Sequence, residues 1–597
     1  MSDYTAPLQD MKFVINELVG LADVSSLPDF GEVTPELVDQ VLDEAGKFAA
    51  EVLGPLNVVG DKQGSRLADG KVTTPPGFKD AYRQFVEGGW NGLAGPVDFG
   101  GQGLPHIVSI PVSEMWNGSN LAFSLCPMLT SGVQEAMMRH GTPEQQRRYL
   151  GKLTSGEWAG TMNLTEPQAG SDLSAVRTRA VPEGDHYRLY GTKIFITWGE
   201  HDCAENIIHL VLARTPDAPE GVKGISLFIV PKFLVNADGS LGERNDVKCV
   251  SLEHKLGIHA SPTAVLAYGD TTGAIGYLVG EENRGLSYMF TMMNHARLGV
   301  GVEGVAIAER AYQHALAYAK TRVQGRETGE QGGDRVTIIH HPDVRRMLLS
   351  MKAQTEAMRA LAYTAAAALD QSRHNPDKTG RAKNQALLDL LTPIVKAWST
   401  EQAVEIASTG VQVHGGMGFI EETGAAQFLR DARITTIYEG TTGIQANDLI
   451  GRKVGAEKGA TMRALIGEMR QFAGGIAESG DADLAAIRAA LGDGIDALAQ
   501  ATDWVVATHA ADPKATAASA VPYLKLAGTV LGGFQMARAA SIARLKLDAK
   551  EGDAEYYRGK VATARFYADH LLPLAASYRH TVVKGAASVL AVDAAQL

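Results

Sequence analysis

The sequence predicts a mainly α-helical protein with a central β domain and an additional C-terminal helical domain. Two observations lead to this fold class. Apolar residues recur at helical spacing up to about residue 160 and again after about residue 286, and short β-branched runs fill the stretch between them. With 597 residues, 45% of them hydrophobic, the chain can build several cores. We therefore predict domains over 1–160, 161–285, 286–454 and 455–597.

The first domain, 1–160, contains two helix-start signals. Thr34 followed by Pro35 is an N-cap with proline in the first turn, and apolar residues then recur at Val38, Val41, Leu42, Ala45, Phe48 and Val52. In GTPEQQRRYL, Thr142 is the expected cap, and Gln145 stands where a capping box requires it. Both stretches predict helices.

The middle domain, 161–285, has a different sequence pattern from the helical stretch before it. HYRLYGTKIFIT (186–197), ENIIHLVLA (205–213) and GISLFIVPKFL (224–234) are β-branched runs separated by Gly, Pro and Asp clusters. This pattern is typical of strands joined by hairpins and turns.

Helical periodicity returns over 286–454 and continues through the Ala-rich stretch 455–597. The last stretch contains 15 Lys and Arg against 15 Asp and Glu, so its net charge is zero. GVGVEG (299–304) matches a dinucleotide-binding glycine pattern, but it lies inside a helical stretch without a β-α-β unit. We interpret its glycines as sites of close helix packing.

Composition excludes several classes of protein. A net charge of −12 opposes binding to nucleic acid or to an anionic membrane, and no apolar run is long enough to span a bilayer. The N-terminal segment lacks the features of a secretory signal. Three widely spaced cysteines predict neither disulfides nor a metal site, the histidines lack metal-ligand spacing, and we expect a cytoplasmic protein.

IYEGTTGIQ (437–445) contains one carboxylate, Glu439, among β-branched residues, and apart from Arg433 no Lys or Arg lies near it in the chain. Most glutamates are solvated surface residues. A partly buried acid has a perturbed pKa and is more often functional. The residues alone leave both interpretations open.

Two further segments are also open to two interpretations. MNLTEPQAGSD (162–172) combines hydroxyls, a Pro turn and small residues at a change from helix to strand. It suits either an ordinary turn or the backbone binding of a heteroaromatic ring or pyrophosphate. QVHGGMGF (412–419) follows a helix, so its glycines either end that helix or let a ligand approach the backbone.

These three segments, together with FITWG, RVQGR and RDARI, occur in the same order and at similar separations in the acyl-CoA dehydrogenase family of flavoproteins. The resemblance covers residues from about 40 to 455. It implies the family fold: an α-helical N domain, a β-barrel-like middle domain and an α-helical bundle, here followed by an extra helical domain as in the large subgroup of the family.

The resemblance also implies chemistry. Non-covalent FAD accepts a hydride from the β carbon of an acyl-CoA thioester, while the glutamate of YEG, here Glu439, removes the α proton. Gly440 allows the tight backbone path beside the substrate. The implied FAD-binding residues are Met162, Leu164, Thr165, Ser171, Phe195, Thr197, Arg322, Gln324, Gln412, Gly416 and Thr441. The implied substrate-binding residues are Ser171, Asn294, Arg297 and Gly440.

By the same resemblance, Arg322 and Gln324 reach the FAD of a neighbouring subunit, as do Gln412 and Gly416, so we expect a homodimer. Phe195 departs from the family pattern because a Trp is usual there; the aromatic face stays but the indole N–H is lost. RVQGR also lacks the usual Phe, and Gly443 replaces a common polar residue; these departures concern the contacts on the adenine side.

Within the large subgroup, the resemblance implies 3-methylthiopropanoyl-CoA or another short or medium acyl-CoA as substrate and electron-transferring flavoprotein as acceptor. An acyl-CoA oxidase shares the same base and flavin and stays an alternative. A DNA-associated flavoprotein of the same fold would need a basic C-terminal domain, and this one is neutral.

Overall fold

The computed structural model describes residues 4–329, 333–476 and 481–597. They form two compact units. The first contains the residues up to Thr5, Ala45–Pro105 and Met115–Gly299, and the second contains Ala6–Glu44, His106–Glu114 and Val300–Leu597. The predicted fold class, helices around a central β domain with further C-terminal helices, is confirmed. The four predicted domain boundaries divide the chain more finely and stay predictions.

The N-terminal part is helical, as predicted. Its helices are α1 (Leu8–Phe13), α2 (Leu21–Ser25), α3 (Pro35–Phe48), α4 (Gly54–Gln63), α5 (Phe78–Glu87), α6 (His106–His140) and α7 (Pro143–Ser155). The Thr34 hydroxyl accepts a hydrogen bond from Leu37 N at 3.2 Å at the start of α3. At α7, Thr142 and Gln145 form the predicted capping box, with Gln145 Oε1 3.0 Å from Thr142 N.

An eight-stranded sheet forms the centre of the first unit. The strands of the chain are β1 (Arg66–Ala68), β2 (Lys71–Thr73), β3 (Trp158–Asn163), β4 (Arg179–Glu183), β5 (His186–Thr197), β6 (Asn206–Ala213), β7 (Ser226–Pro231), β8 (Phe233–Val235), β9 (Leu241–Arg244), β10 (Val247–Leu252), β11 (Thr263–Tyr268) and β12 (Ala274–Leu278). The order in the large sheet is β10-β11-β5-β12-β7-β6-β3, with β4 added to β5. Only the pair β3–β6 is parallel in this sheet.

Both faces of this sheet are covered. Every residue of β6 and β7 is buried, which explains their continuous apolar sequences. One core contains Leu129, Val133, Leu153 and Trp158 with alternate residues of β6 and β7, and the other contains Leu189, Leu266 and Tyr268 with the remaining alternate residues. These two cores hold the ends of β3 and β5 in place, where predicted cofactor residues lie.

The second unit is a bundle of helices. Its elements after the sheet are α8 (Gly285–Thr321, which begins in the first unit), α9 (Pro342–His374), α10 (Lys378–His414), α11 (Ala425–Thr435), α12 (Thr442–Asp448), α13 (Ala460–Ile476), α14 (Ala482–Thr508), α15 (Pro513–Ala518), α16 (Ala520–Ala549), α17 (Ala554–His570), α18 (Leu574–Lys584) and α19 (Ala586–Leu590). No helix in the described part of the chain is long and apolar enough to cross a membrane.

The glycines of GVGVEG allow α8 to pack closely against α10. A Cβ added at Gly301 would lie 2.5 Å from Val395 Cγ1, and one added at Gly304 would lie 2.8 Å from the Ser399 carbonyl. Real Cβ atoms do not approach so closely, so the interpretation as a packing motif is confirmed. The sequence forms a helix rather than a nucleotide-binding turn.

A buried ionic cluster joins distant parts of the second unit. The Arg359 guanidinium, 1% exposed, bonds Asp10 Oδ2 at 2.6 Å, Glu114 Oε1 at 2.6 Å and Glu309 Oε2 at 2.8 Å. Lys560 in α17 bonds Asp10 as well. The cluster therefore connects α1, α6, α8 and α9 to the C-terminal helices.

Candidate active site

The segment around Glu439 is a tight turn between two helices. After α11 ends, Tyr438 N still bonds the Ile434 carbonyl at 3.1 Å. The backbone then turns into the left-handed region at Glu439, with φ of 56°, and at Gly440, with φ of 91°. Thr441 ends the turn because its hydroxyl accepts from Ile444 N at 3.3 Å and so caps α12.

Two side chains hold this turn by its carbonyls. Gln445 Nε2 donates to the Glu439 carbonyl at 2.9 Å, and Lys396 Nζ donates to the Gly440 carbonyl at 2.8 Å. Both side chains are fully buried. The φ of 91° at Gly440 favours glycine, and a Cβ there would also lie 2.7 Å from Gln445 Nε2, the atom that holds the turn. Left-handed backbone at a non-glycine residue is unfavourable and persists where its surroundings enforce it, as they do here.

A second acid lies behind the turn. Glu303 in α8 is fully buried, and the Tyr438 hydroxyl donates a hydrogen bond to its Oε2. Burial raises the pKa of Glu303 to about 8; the bond from Tyr438 and the charge of Lys396 act in the opposite direction, and the charge of Glu439 adds to the increase. Glu303 is therefore mostly a neutral acid at pH 7.

Sequence reasoning missed both Glu303 and Lys396. Each comes from a helix far from Glu439 in the chain, so no local pattern connects them to it. A signal for Glu303 was present, since it is the one acid inside the apolar run GVGVEG that we interpret only as a packing motif. In the sequence Arg433 is the base near this segment, whereas in the fold Lys396 of α10 contacts it as well.

The turn 162–172 is built around a buried ion pair in the first unit. Glu166, 4% exposed, accepts from Lys193 Nζ at 2.8 Å, from Thr178 Oγ1 at 2.6 Å and from Arg177 N at 2.7 Å. Burial raises the pKa of Glu166, but the lysine charge and these hydrogen bonds outweigh it and lower the pKa to about 2. The acid of this motif is thus a permanent carboxylate that shapes the turn.

The same lysine joins the turn to β5. Lys193 Nζ donates to the Leu164 carbonyl at 2.9 Å, and Ile194 N donates to the Thr165 carbonyl at 2.9 Å. These bonds join Leu164 and Thr165 to β5, the strand that also carries Phe195 and Thr197, and Met162 lies in β3 just before the turn. Ser171 lies farther along the turn and is exposed.

Phe195 lies at an irregularity in the pairing of β5 with β11, and its φ is 59°. Bulges of this kind redirect side chains. Its ring is 58% exposed although it is apolar. An exposed aromatic face beside a turn held in place by a buried ion pair can stack on the flavin ring of FAD, so the residues present suit that cofactor.

Asn294 and Arg297 lie on the part of α8 that belongs to the first unit. Asn294 is exposed, whereas Arg297 is buried with its guanidinium 6.0 Å from the centre of the Phe290 ring. Ala296, directly before Arg297, is buried and has no acid–base group.

A third group of predicted residues gathers at one end of the bundle in the second unit. The Tyr318 ring stacks on the His414 ring with centroids 4.4 Å apart, which places the stretch after α8 next to the glycine turn after α10. Arg322, Gln324, Gln412 and Gly416 are all exposed there. So are Met417 and Phe419, the latter with 87% of its surface accessible.

No group of three His, Cys, Asp or Glu side chains in 4–329, 333–476 or 481–597 could hold a metal ion. The three cysteines, Cys126, Cys203 and Cys249, are free thiols.

Four family models match the chain in order. They are described as the N-terminal domain of acyl-CoA dehydrogenase (residues 36–157), its middle domain (161–270), its C-terminal domain (283–455) and an acetyl-CoA dehydrogenase C-terminal-like domain (465–593). The chain belongs to the acyl-CoA dehydrogenase family. It is an FAD-dependent oxidoreductase that acts on the CH–CH bond of an acyl-CoA.

Two curated relatives match over almost their full length. The 3-methylmercaptopropionyl-CoA dehydrogenase of Ruegeria pomeroyi is 51% identical over 570 residues, which cover 95% of this chain and 96% of the relative. A butyryl-CoA dehydrogenase of Syntrophomonas wolfei is 36% identical over 589 residues, covering 96% and 95%.

Solved structures share the fold. An acyl-CoA dehydrogenase from Bacillus anthracis, complexed with FAD, has a TM-score of 0.74 at 21% identity and covers 98% of this chain and 93% of its own. A chain from work on the electron transferring flavoprotein of Acidaminococcus fermentans and flavin-based electron bifurcation is 28% identical, has a TM-score of 0.55 and covers 69% and 96%.

The buried ion pair of Glu166 leads to a first prediction, which concerns stability and FAD retention. Glu166→Gln leaves Lys193 buried without a counter-ion, which typically costs roughly 3–5 kcal/mol. We expect a lower melting temperature of the holoenzyme and FAD lost on gel filtration, measured by flavin absorbance. In the wild type this stabilisation is complete above the pKa of an unfolded glutamate, about 4.3, and it is lost as pH falls towards about 2.

Glu183→Gln is the matched control, because Glu183 also pairs with a base, Arg188, but at an exposed position. It should change neither quantity measurably. A Glu166→Gln protein with the wild-type melting temperature and flavin content would contradict the role of this ion pair.

Proposed function

We propose that this chain oxidises 3-methylthiopropanoyl-CoA to 3-methylthioacryloyl-CoA and passes the electrons to an electron-transferring flavoprotein. The observation that carries this proposal is the 51% identity, over 96% of its length, to the 3-methylmercaptopropionyl-CoA dehydrogenase of Ruegeria pomeroyi. The similarity to a chain from the study of an electron transferring flavoprotein supports the acceptor. The three free thiols fit a cytoplasmic location.

Glu439 is the base in this proposal. Gln445 donates to the Glu439 carbonyl, and Lys396 donates to the Gly440 carbonyl. The backbone that carries the Glu439 carboxylate is therefore held in place. Fixing the base beside the C–H bond removes the orientational cost of proton abstraction. FAD, when bound, supplies the acceptor for the hydride from the β carbon.

Charge that develops on the thioester oxygen also needs a donor. We propose that the backbone N–H of Glu439 donates to that oxygen, so one residue both removes the α proton and stabilises the charge left behind. The left-handed turn at Glu439 and Gly440 supports this assignment, because turns of this kind can direct backbone N–H groups at a bound oxygen that carries negative charge.

The remaining site residues keep the roles implied by the resemblance. Met162, Leu164, Thr165, Phe195 and Thr197 hold FAD together with Ser171, Arg322, Gln324, Gln412, Gly416 and Thr441. Ser171, Asn294, Arg297 and Gly440 contact the substrate. Two observations support these roles. In the first unit, Lys193 of β5 bonds the Leu164 carbonyl in the turn after β3. In the second unit, the stack of Tyr318 on His414 brings the stretch after α8 next to the glycine turn after α10.

Glu439→Gln tests the base. The amide keeps the size and polarity of the side chain but cannot accept the proton, and general-base catalysis is worth about 10²–10⁴-fold. We expect flavin reduction on stopped-flow mixing with acyl-CoA to slow by at least that factor, with FAD content and acyl-CoA binding retained. The control Glu405→Gln changes an exposed glutamate of α10 and should reduce its flavin normally. Near wild-type reduction by Glu439→Gln would exclude Glu439 as the base.

Substrate choice is tested with matched thioesters. Pentanoyl-CoA has a methylene where 3-methylthiopropanoyl-CoA has sulfur, so the pair isolates the contribution of the thioether, and butyryl-CoA and palmitoyl-CoA test chain length. We expect the highest kcat/KM for 3-methylthiopropanoyl-CoA, because this ratio measures discrimination directly. Preference for palmitoyl-CoA would overturn the substrate, and turnover with oxygen as efficient as with electron-transferring flavoprotein would favour an oxidase.

We also propose a homodimer that uses the exposed end of the bundle. Phe419 and Met417 extend apolar surface next to Arg322, Gln324 and Gln412, and such a patch on a folded protein marks an interaction surface. In this proposal each subunit completes the FAD site of its partner.

Phe419→Asp tests this interface. A buried charge at the contact should give a monomer by light scattering together with loss of FAD, since the cofactor site would be incomplete. Val589→Asp, at another exposed apolar position, is the control and should leave a dimer with FAD. A wild-type monomer or tetramer at micromolar concentration would contradict the proposal.

A further inference from the structure

Glu303 is a buried acid that is hydrogen-bonded to Tyr438, the residue before Glu439. Its Oε2 accepts from the Tyr438 hydroxyl, while no group in the described part of the chain hydrogen-bonds its Oε1. The carboxyl group is fully buried in the middle of α8, on the stretch that packs closely against α10. Burying an acid with only one partner is costly, so the position calls for a functional explanation.

Together with its neighbours, Glu303 completes a set of three contacts to consecutive residues. Tyr438 is held by its hydroxyl, Glu439 by its carbonyl through Gln445, and Gly440 by its carbonyl through Lys396. Of these, only the Tyr438 contact acts on the N-terminal side of the left-handed residue. The chain between α11 and Glu439 is also held by Ile437 N and Tyr438 N, which both donate to the Ile434 carbonyl, and by Thr442 N, which donates to the Thr436 carbonyl. The Tyr438 hydroxyl adds a contact from this stretch to α8.

The charge state of Glu303 suits this position. The charged and titratable groups that act on it are Tyr438, Lys396 and Glu439, and burial raises its pKa to about 8. At neutral pH it therefore accepts the tyrosine hydrogen bond mostly as a neutral acid. A neutral carboxyl group avoids the cost of burying an unpaired charge, and its oxygen can still accept from the Tyr438 hydroxyl.

We propose that Glu303 is a positioning residue for the dehydrogenation, which acts through the Tyr438 hydroxyl to hold the peptide that carries Glu439. This inference rests on the proposed role of Glu439 as the base. Glu303 donates and accepts no proton of the substrate; it orients the group that does.

Two substitutions, each of which removes one partner of the Tyr438–Glu303 hydrogen bond, and the corresponding double variant test this contact. Tyr438→Phe removes the donor and Glu303→Leu removes the acceptor, and each should slow flavin reduction about ten- to a hundredfold because small displacements of a catalytic group have effects of this size. The double variant should be no slower than the slower single variant, as expected when two residues act through one contact. Substrate concentration at half-saturation should change little.

A matched control separates positioning from stability. Tyr363 also donates from a buried hydroxyl to a buried glutamate of the second unit, Glu114, at 2.7 Å. Tyr363→Phe should lower the melting temperature without slowing flavin reduction. If Tyr363→Phe slows reduction as much as Tyr438→Phe, the effect is general destabilisation and the proposal is overturned.

Glu303→Gln gives a further test that stays informative even if Tyr438→Phe or Glu303→Leu fails to fold. Its amide oxygen can still accept from Tyr438, so it should restore most of the rate lost in Glu303→Leu. The wild-type reduction rate should rise in one step centred near pH 8, because ionised Glu303 makes Glu439 the stronger base, and Glu303→Gln should lack this step. A Glu303→Gln protein that is as slow as Glu303→Leu, or that keeps the step, overturns the proposal.

Glu439→Gln, measured in parallel, distinguishes the two levels of inference. If it reduces flavin normally, the proposed base is wrong. If it is inactive while Tyr438→Phe and Glu303→Leu reduce flavin at wild-type rates, only the positioning role of Glu303 is wrong.

Discussion

The second unit depends on neutralising one buried guanidinium. Arg359 is 1% exposed and bonds Asp10, Glu114 and Glu309, which come from α1, α6 and α8. A buried charge that lost one of these partners would destabilise the fold by several kcal/mol. The four elements must therefore assemble together. Lys560 in α17 bonds Asp10 and, at 2.9 Å, Glu356, so the extra C-terminal helices share the same constraint.

That constraint extends to the catalytic turn through α8. The helix carries Glu309 in the ionic cluster and Glu303 behind Tyr438, and its glycines fix its contact with α10, which in turn carries Lys396. Glu303 and Lys396, which hold the Glu439 turn, thus lie on helices whose positions are set by the ionic cluster and by the close packing of α8 against α10. A left-handed glutamate can persist in such a setting because relaxing it would break contacts on both sides.

Environment gives the acids of this protein different charges. Glu166 is kept ionised by Lys193 and four hydrogen-bond donors and shapes the turn after β3, whereas Glu303 has one hydrogen-bond partner and stays mostly neutral at pH 7. Both are buried, so burial alone does not decide whether the acid is ionised. The number and charge of its hydrogen-bonding partners decide it. The same rule makes a sequence-based assignment of function to an acid incomplete without its neighbours.

The order of helical and β regions, the capped starts of α3 and α7, the helical packing role of GVGVEG and the family could all be predicted from the sequence. These features depend on residues that are close in the chain, or on motifs whose order can be read directly. Only the tertiary structure decided that Lys193 pairs with Glu166, that Lys396 and Gln445 hold the carbonyls beside Glu439, and that Glu303 lies behind Tyr438. Three of these four side chains belong to elements distant in sequence, and their burial and ionisation are set by packing that no local spacing records.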